Sequence, residues 1–275
     1  MKKRAAPPIL ASDSRLIDSH CHLDMNAYHG DIDEIINSAD KRGVNRIITI
    51  GIDLSSSYRA VELADQYPGV YATVGIHPHN AEDASDDMYR ELKKLAAKPK
   101  VVGYGEIGLD YAKQYAPITI QRREFTRQLD LAEELHLPVV IHDREAHEDT
   151  LKLLRERGPF PAGGVMHCFS GDVSFANQVL ELGFYVSIPG IVTFKNAVEL
   201  QQVVREVPLE LMLLETDGPF LAPAPWRGKT NRPDYLLYTA GKVAELKNIS
   251  VDEVANQTML NTEKLFSLPR KVSIQ

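Results

Sequence analysis

"VVGYGEIGLDYAKQYAPITIQRREFTRQLDLAEELHLPVVIH", residues 101–142, reads as a complete strand, helix and strand unit. Its two ends, "VVGYGEI" and "LPVVIH", are short Val- and Ile-rich runs with little polar alternation, as parallel strands covered on both faces require. Between them Pro117 is placed to open a helix, and Phe125, Leu129 and Ala132 recur at the i, i+4, i+7 spacing of one buried face.

The same unit repeats outward in both directions. The runs "RLIDSH", "NRIITIG", "VYATVGI", "GGVMHCF", "FYVSIPG" and "LMLLETD" raise the predicted strands to eight, starting near residues 15, 45, 70, 101, 137, 163, 184 and 211. The tail "SVDEVANQTMLNTEKLF" carries Ser250 and Glu253 at capping-box spacing and reads as a further helix. Eight β/α units in about 260 residues predict an α/β fold of one domain, a closed (β/α)8 barrel of the TIM type. It spans residues 15–275, with a mobile N-terminal arm at 1–14. The start "MKKRAAPPILASDSR" has basic residues before an apolar patch, but Pro7 and Pro8 interrupt that patch, so an arm is expected rather than a secretory signal. An open doubly wound sheet is the rival fold. It usually carries a glycine-rich phosphate loop after an early strand, a pattern that "GIDLSSS" at 51–57 lacks.

Composition narrows the function classes. The chain has 275 residues, 44% hydrophobic, 25% charged and 7% aromatic, ordinary values for a soluble globular protein. No apolar stretch approaches the roughly 20 residues of a membrane helix, so no membrane association is expected. A formal charge of −7 argues against a broad basic face for nucleic acid, and an anionic substrate must then be held locally. Two cysteines provide no disulfide framework, which fits a reducing compartment and an expected cytoplasmic location. Nothing points to an obligate protein partner.

In a parallel barrel, chemistry sits where the strands end. The first strand ends with His20 and His22, the fourth with Glu106, the fifth with His142, the sixth with His167 and the eighth with Asp217. With His77 and His79 after the third strand, six of nine histidines fall on one rim, leaving His29, His136 and His147 elsewhere. A lone strand-end histidine is ordinarily a satisfied core or surface residue; this set is not lone. His136 suits a helix C-terminus, and His147 begins "HEDT", which is not a zinc-protease helix motif. Period-two alternation puts His20 and His22 on one face, with Asp18 one layer deeper to orient a ligand ring. It also places Glu215 on the side of Asp217 and turns Cys21 and Cys168 away as packing residues. Four imidazoles and two carboxylates exceed what one tetrahedral site with an open position needs, so two divalent cations are expected, with Glu106 between them. Their surplus charge, roughly +2, attracts phosphate and acidifies water.

The stretches "DSHCHLD" (18–24), "GIHPHNA" (75–81), "GEIGLD" (105–110), "LPVVIHDR" (137–144), "HCFSG" (167–171) and "ETDGPFLAP" (215–223) together resemble the TatD family of metal-dependent deoxyribonucleases. The resemblance implies a TIM-type barrel, two divalent metal ions and hydrolysis of DNA phosphodiester bonds, often exonucleolytic. Mg is the metal it implies, with Zn or Mn the alternatives that imidazole ligation favours on chemical grounds. It maps metal positions onto His20, His22, Glu106, His142, His167 and Asp217, with Glu106 shared. It makes His77, His79 and Arg144 candidates for gripping substrate phosphates. Asp217 is the expected proton acceptor, supported from behind by Glu215 or Asp18.

There are departures. Gly218 stands where Ser or Ala is usual and is expected to widen the pocket. In "RGKTNRP" (227–233), Thr230 replaces a basic residue and Arg232 an acidic one, which changes how the last loop meets substrate. The rival enzyme reading is a binuclear hydrolase of an ester or amide, such as a D-aminoacyl-tRNA linkage. Many such barrels bridge their metals with a modified Lys where this chain has Glu106. A non-catalytic barrel is a further rival, and the intact six-residue set argues against it.

Overall fold

Each of the eight Val-, Ile- and Leu-rich runs forms a strand in the computed structural model, which describes residues 5–269. They are β1 (Leu16–Cys21), β2 (Val44–Ile50), β3 (Val70–Val74), β4 (Val101–Asp110), β5 (Val139–Arg144), β6 (Gly164–Met166), β7 (Tyr185–Ile188) and β8 (Met212–Leu214). The strands pair in parallel and in chain order. The two edges then meet: His22 N donates to Gly218 O at 2.7 Å, and Asp217 N donates to His20 O at 2.9 Å. The sheet thereby closes into the expected (β/α)8 barrel, with β1 and β8 joined through the single bridge between Cys21 and Gly218.

Between and after the strands run α1 (Ile32–Lys41), α2 (Leu54–Gln66), α3 (Asp86–Ala96), α4 (Ile118–Glu134), α5 (His147–Arg157), α6 (Val173–Glu181), α7 (Val198–Glu206), α8 (Leu236–Lys247) and α9 (Val251–Leu265). Pro117 stands one residue before α4, where its missing N–H costs nothing and its carbonyl accepts from Ile120 and Gln121. Phe125, Leu129 and Ala132 are buried, as their spacing predicts. At the start of α9, Ser250 Oγ accepts from Glu253 N and the Glu253 carboxylate accepts from Ser250 N, the expected reciprocal cap.

Two apolar layers result. One residue or more from every strand, including Ile17, Ile48, Tyr71, Val140, Val165 and Leu213, fills the barrel interior. Leu265, Phe266 and Leu268, at and beyond the end of α9, join that interior cluster. The larger layer lies between the strands and the surrounding helices. Arg46, 5% exposed on β2, pairs with the buried Glu263 of α9 and donates to Pro269 O at 3.2 Å. A buried guanidinium needs such a partner, so the pair ties the last helix to the barrel.

Of the expected N-terminal arm, residues 1–4 lie outside the described residues, as do 270–275 of the barrel domain. Within 5–14, Ala11 N donates to Asp252 Oδ1 at 2.8 Å and Ala5 O accepts from the Tyr238 hydroxyl at 3.1 Å. Among the described residues no helix is long and apolar enough to cross a membrane.

Candidate metal centre

Barrel closure gathers the strand ends into two donor clusters that share one carboxylate. In the first, His20 Nε2 and His22 Nε2 lie 3.3 Å apart. His20 Nε2 is 3.4 Å from Glu106 Oε2 and 3.8 Å from Asp217 Oδ1, while His22 Nε2 is 3.8 Å and 3.4 Å from the same two atoms. Four donors about 2.0 to 2.3 Å from a common centre, the range of nitrogen and oxygen ligands on a divalent metal, stand ~3.3 to 3.8 Å from one another. In the second cluster, Glu106 Oε1 is 2.8 Å from His142 Nδ1, 2.9 Å from His167 Nε2 and 3.4 Å from His77 Nε2.

All six residues expected to hold metal are therefore brought together, with Glu106 between the clusters. His77, expected at a substrate phosphate, also reaches the shared carboxylate. His79 stands one contact further out, and Arg144 is exposed at the end of β5. Cys21 and Cys168 belong to none of the His, Asp and Glu groups close enough to hold a cation among the described residues.

The imidazoles differ in protonation. Burial pushes the His20 imidazole down to about 3, helped by neighbouring His167, and burial likewise pushes His77 down to about 4. Both are neutral lone-pair donors near pH 7. For Glu106, burial acts the other way, but His167, His77 and hydrogen bonds from His142 and His167 hold its carboxyl well below the usual range. His167 is pulled well above the ordinary imidazole value by Glu106 and Glu215 in spite of burial. Two imidazole nitrogens facing each other at 3.3 Å, beside buried carboxylates, can share either a proton or a cation between them. The residues fit divalent cations.

Asp110 joins the site, and the sequence reading passed over it. Its Oδ2 lies 3.2 Å from His142 Nε2 and 2.8 Å from His79 Nε2, and its Oδ1 accepts from Lys113 N at 2.8 Å. Asp110 thus touches the ring nitrogen of His142 opposite the one that faces Glu106, and with a cation at Nδ1 it would keep the ring proton on Nε2. The signal was present: Asp110 follows Glu106 by four residues, hence on the same side of β4. Gly108 between them has φ 144°, and a Cβ there would stand 1.9 Å from His142 O, so a glycine lets β4 approach β5 at the ligand.

Other expectations are corrected. Asp18 does not orient a ligand ring. Its carboxylate accepts from Thr216 N at 2.9 Å and Thr216 Oγ1 at 2.5 Å, while His20 Nδ1 has no partner among the described residues. The cause is a register shift between Asp18 and Cys21, which breaks strict alternation. Asp18 thus clasps β1 to the segment after β8. Glu215 does stand behind the site, 3.4 Å from His167 Nδ1 and accepting from Cys168 N at 2.7 Å.

Gly218 does not widen the pocket either. A Cβ there would lie 2.3 Å from the hydroxyl oxygen of buried Tyr28, which itself donates to Asn231 O at 2.6 Å. The space is already taken. Gly218→Ala is expected to cost about 1 to 3 kcal/mol by overpacking. Urea unfolding in a Tyr28→Phe background should recover most of that loss, whereas an equal loss in both backgrounds would place the collision elsewhere. In the same loop Arg232 turns to acidic partners, 3.6 Å from Glu34 and 3.3 Å from Asp234, and Thr230 is exposed.

Comparison with known proteins agrees with this geometry. A family model described as TatD related DNase matches residues 17–267. YabD of Bacillus subtilis (strain 168), described as an uncharacterized metal-dependent hydrolase, is 42% identical over 253 residues, covering 92% of this chain and 99% of its own. YcfH of Escherichia coli (strain K12), of the same description, is 41% identical over 258 residues, covering 92% and 96%. Among solved structures, YJJV, a TatD homolog from Escherichia coli K12, has a TM-score of 0.88 at 32% identity over 93% of this chain and 99% of that one. A TatD family hydrolase from Entamoeba histolytica has a TM-score of 0.84 at 25% identity over 95% and 100%.

Proposed function

We propose, for a chain that belongs to the TatD family of metal-dependent hydrolases, a deoxyribonuclease activity that removes nucleotides from DNA ends at the mouth of the barrel. The observation that carries this reading is the division of Glu106, whose two oxygens face two separate sets of imidazoles. His20, His22, Asp217 and Glu106 would hold one cation, and His142, His167 and Glu106 the other, with His77 alongside. When bound there, divalent cations supply Lewis acidity toward a phosphoryl oxygen and acidify water.

The chain's own groups do the rest. Asp217, whose backbone N–H is anchored on His20 O, keeps one carboxylate oxygen toward the His20 and His22 imidazoles and has the other to accept the proton of the attacking water. Asp110 touches both His142 and His79 and so holds the two imidazoles in fixed orientation beside the second cluster. Arg144, exposed beyond His142, can clamp a phosphate with paired N–H groups. These local contacts suffice for an anionic substrate on a chain of net charge −7.

Metal choice is open to direct test: the resemblance implies Mg, while imidazole donors favour Zn or Mn. Metal-stripped protein should leave end-labelled single- and double-stranded DNA intact and should regain a time-resolved ladder from one end when Mg, Mn or Zn is returned. Cleavage of an aryl ester or an aminoacyl-tRNA with DNA untouched would overturn the nuclease reading in favour of an ester or amide hydrolase.

A further inference from the structure

The large aromatic side chains of this protein are mostly hidden, Tyr28, Tyr104, Phe125, Phe169, Phe184 and Phe266 completely so. Two exceptions flank the metal centre. Tyr115, in the loop between β4 and α4, is 64% exposed and stands edge to face with His79 at 4.7 Å between ring centroids. Phe220, in the loop after β8, is 48% exposed and stands edge to face with His22 at 5.9 Å.

Contacts connect the two rings through the centre. Tyr115 touches His79, which shares Asp110 with His142 of the second cluster; Glu106 joins that cluster to the first, and there His22 meets Phe220. Each of the two donor clusters that would hold a phosphate thus has one exposed aromatic ring beside it. An exposed ring leaves apolar area in water that an aromatic partner can cover. A phosphodiester between two nucleosides presents that complement: an anion in the middle and a flat π-face on either side.

We propose that Tyr115 and Phe220 form a pair of nucleobase-stacking subsites, each receiving one of the two bases that flank the scissile phosphate. The assignment rests on the nuclease reading of the centre between them. Stacking of this kind accepts any base, because every base has a π-face, and it acts on binding more than on the chemical step.

The test compares a short oligothymidylate with an oligomer of equal length built from abasic tetrahydrofuran residues, which keeps the phosphates and removes the bases. Both are given to the metal-loaded full chain as wild type, Tyr115→Ala, Phe220→Ala, Tyr115→Phe and Phe220→Tyr. Each alanine variant is expected to lower the preference for the base-bearing oligomer by about tenfold, chiefly through KM, and each aromatic-for-aromatic variant to restore it. A base preference indifferent to all four changes, or equal losses on both oligomers, would overturn the subsites while leaving the nuclease reading intact. If wild-type protein neither binds nor cleaves either oligomer, the nuclease reading falls and the subsites fall with it. Base-dependent binding lost in the alanine variants, without cleavage by wild type, would show base contacts at Tyr115 and Phe220 but sink the nuclease reading, and with it their placement around a scissile phosphate.

Discussion

Glu106→Gln protein is expected to bind no more than one divalent cation per chain and to lose roughly a thousandfold or more of its hydrolytic rate, with its fold intact. Glu106 is 3% exposed and faces imidazoles from β1, β5 and the segments after β3 and β6. The amide removes the one negative charge common to both clusters and points an NH2 group at lone pairs that would hold a cation. Cations in such sites contribute several kcal/mol of transition-state stabilisation, and about 4 kcal/mol is a thousandfold in rate. The fold should survive because Glu106 holds its place in the barrel through its backbone, with its N–H donating to Gly51 O at 3.1 Å. Metal content after dialysis and thermal unfolding in chelator are the two measurements. Two bound cations with wild-type turnover would show that Glu106 bridges nothing.

Asp217→Ala should be nearly as inactive, with a different signature. Removing a positioned proton acceptor costs about a hundred- to ten-thousandfold, and here a ligand of the first cluster goes with it. The second cluster, built from Glu106, His142 and His167, does not include Asp217, so one cation per chain should remain. Asp217 takes φ 56°, in the left-handed region, which costs any residue with a Cβ, Asp and Ala alike, roughly 1 to 2 kcal/mol. Asp217→Gly avoids that cost and separates loss of chemistry from loss of stability. Full nuclease activity in either variant would remove Asp217 from the mechanism.

Much of this centre was legible because the barrel imposes a simple rule. Parallel strands in chain order all end on the same face, so a histidine or carboxylate at each strand end arrives at one mouth whatever the intervening helices contain. That rule locates His20, His22, Glu106, His142, His167 and Asp217 without knowledge of any contact. It fails where side-chain direction is inferred from unbroken alternation. β6 ends at Met166 and β8 at Leu214, so His167 and Asp217 lie beyond their strands, and Cys168 and Asp217 take positive φ that no period-two pattern contains. The register shift after Asp18 diverted that carboxylate to Thr216 in the same way.

The sequence alone determined the barrel, its strand order and the identity of the groups at its mouth, because apolar runs, helix periodicity and strand-end residues are local properties of the chain. Only the tertiary structure decided which oxygen of Glu106 faces which imidazoles, that Asp110 stands behind His142, and that Tyr28 fills the space beside Gly218. Those outcomes depend on how closely segments distant in the chain approach one another. A residue's neighbours across the barrel are set by closure and packing, and no local pattern encodes them.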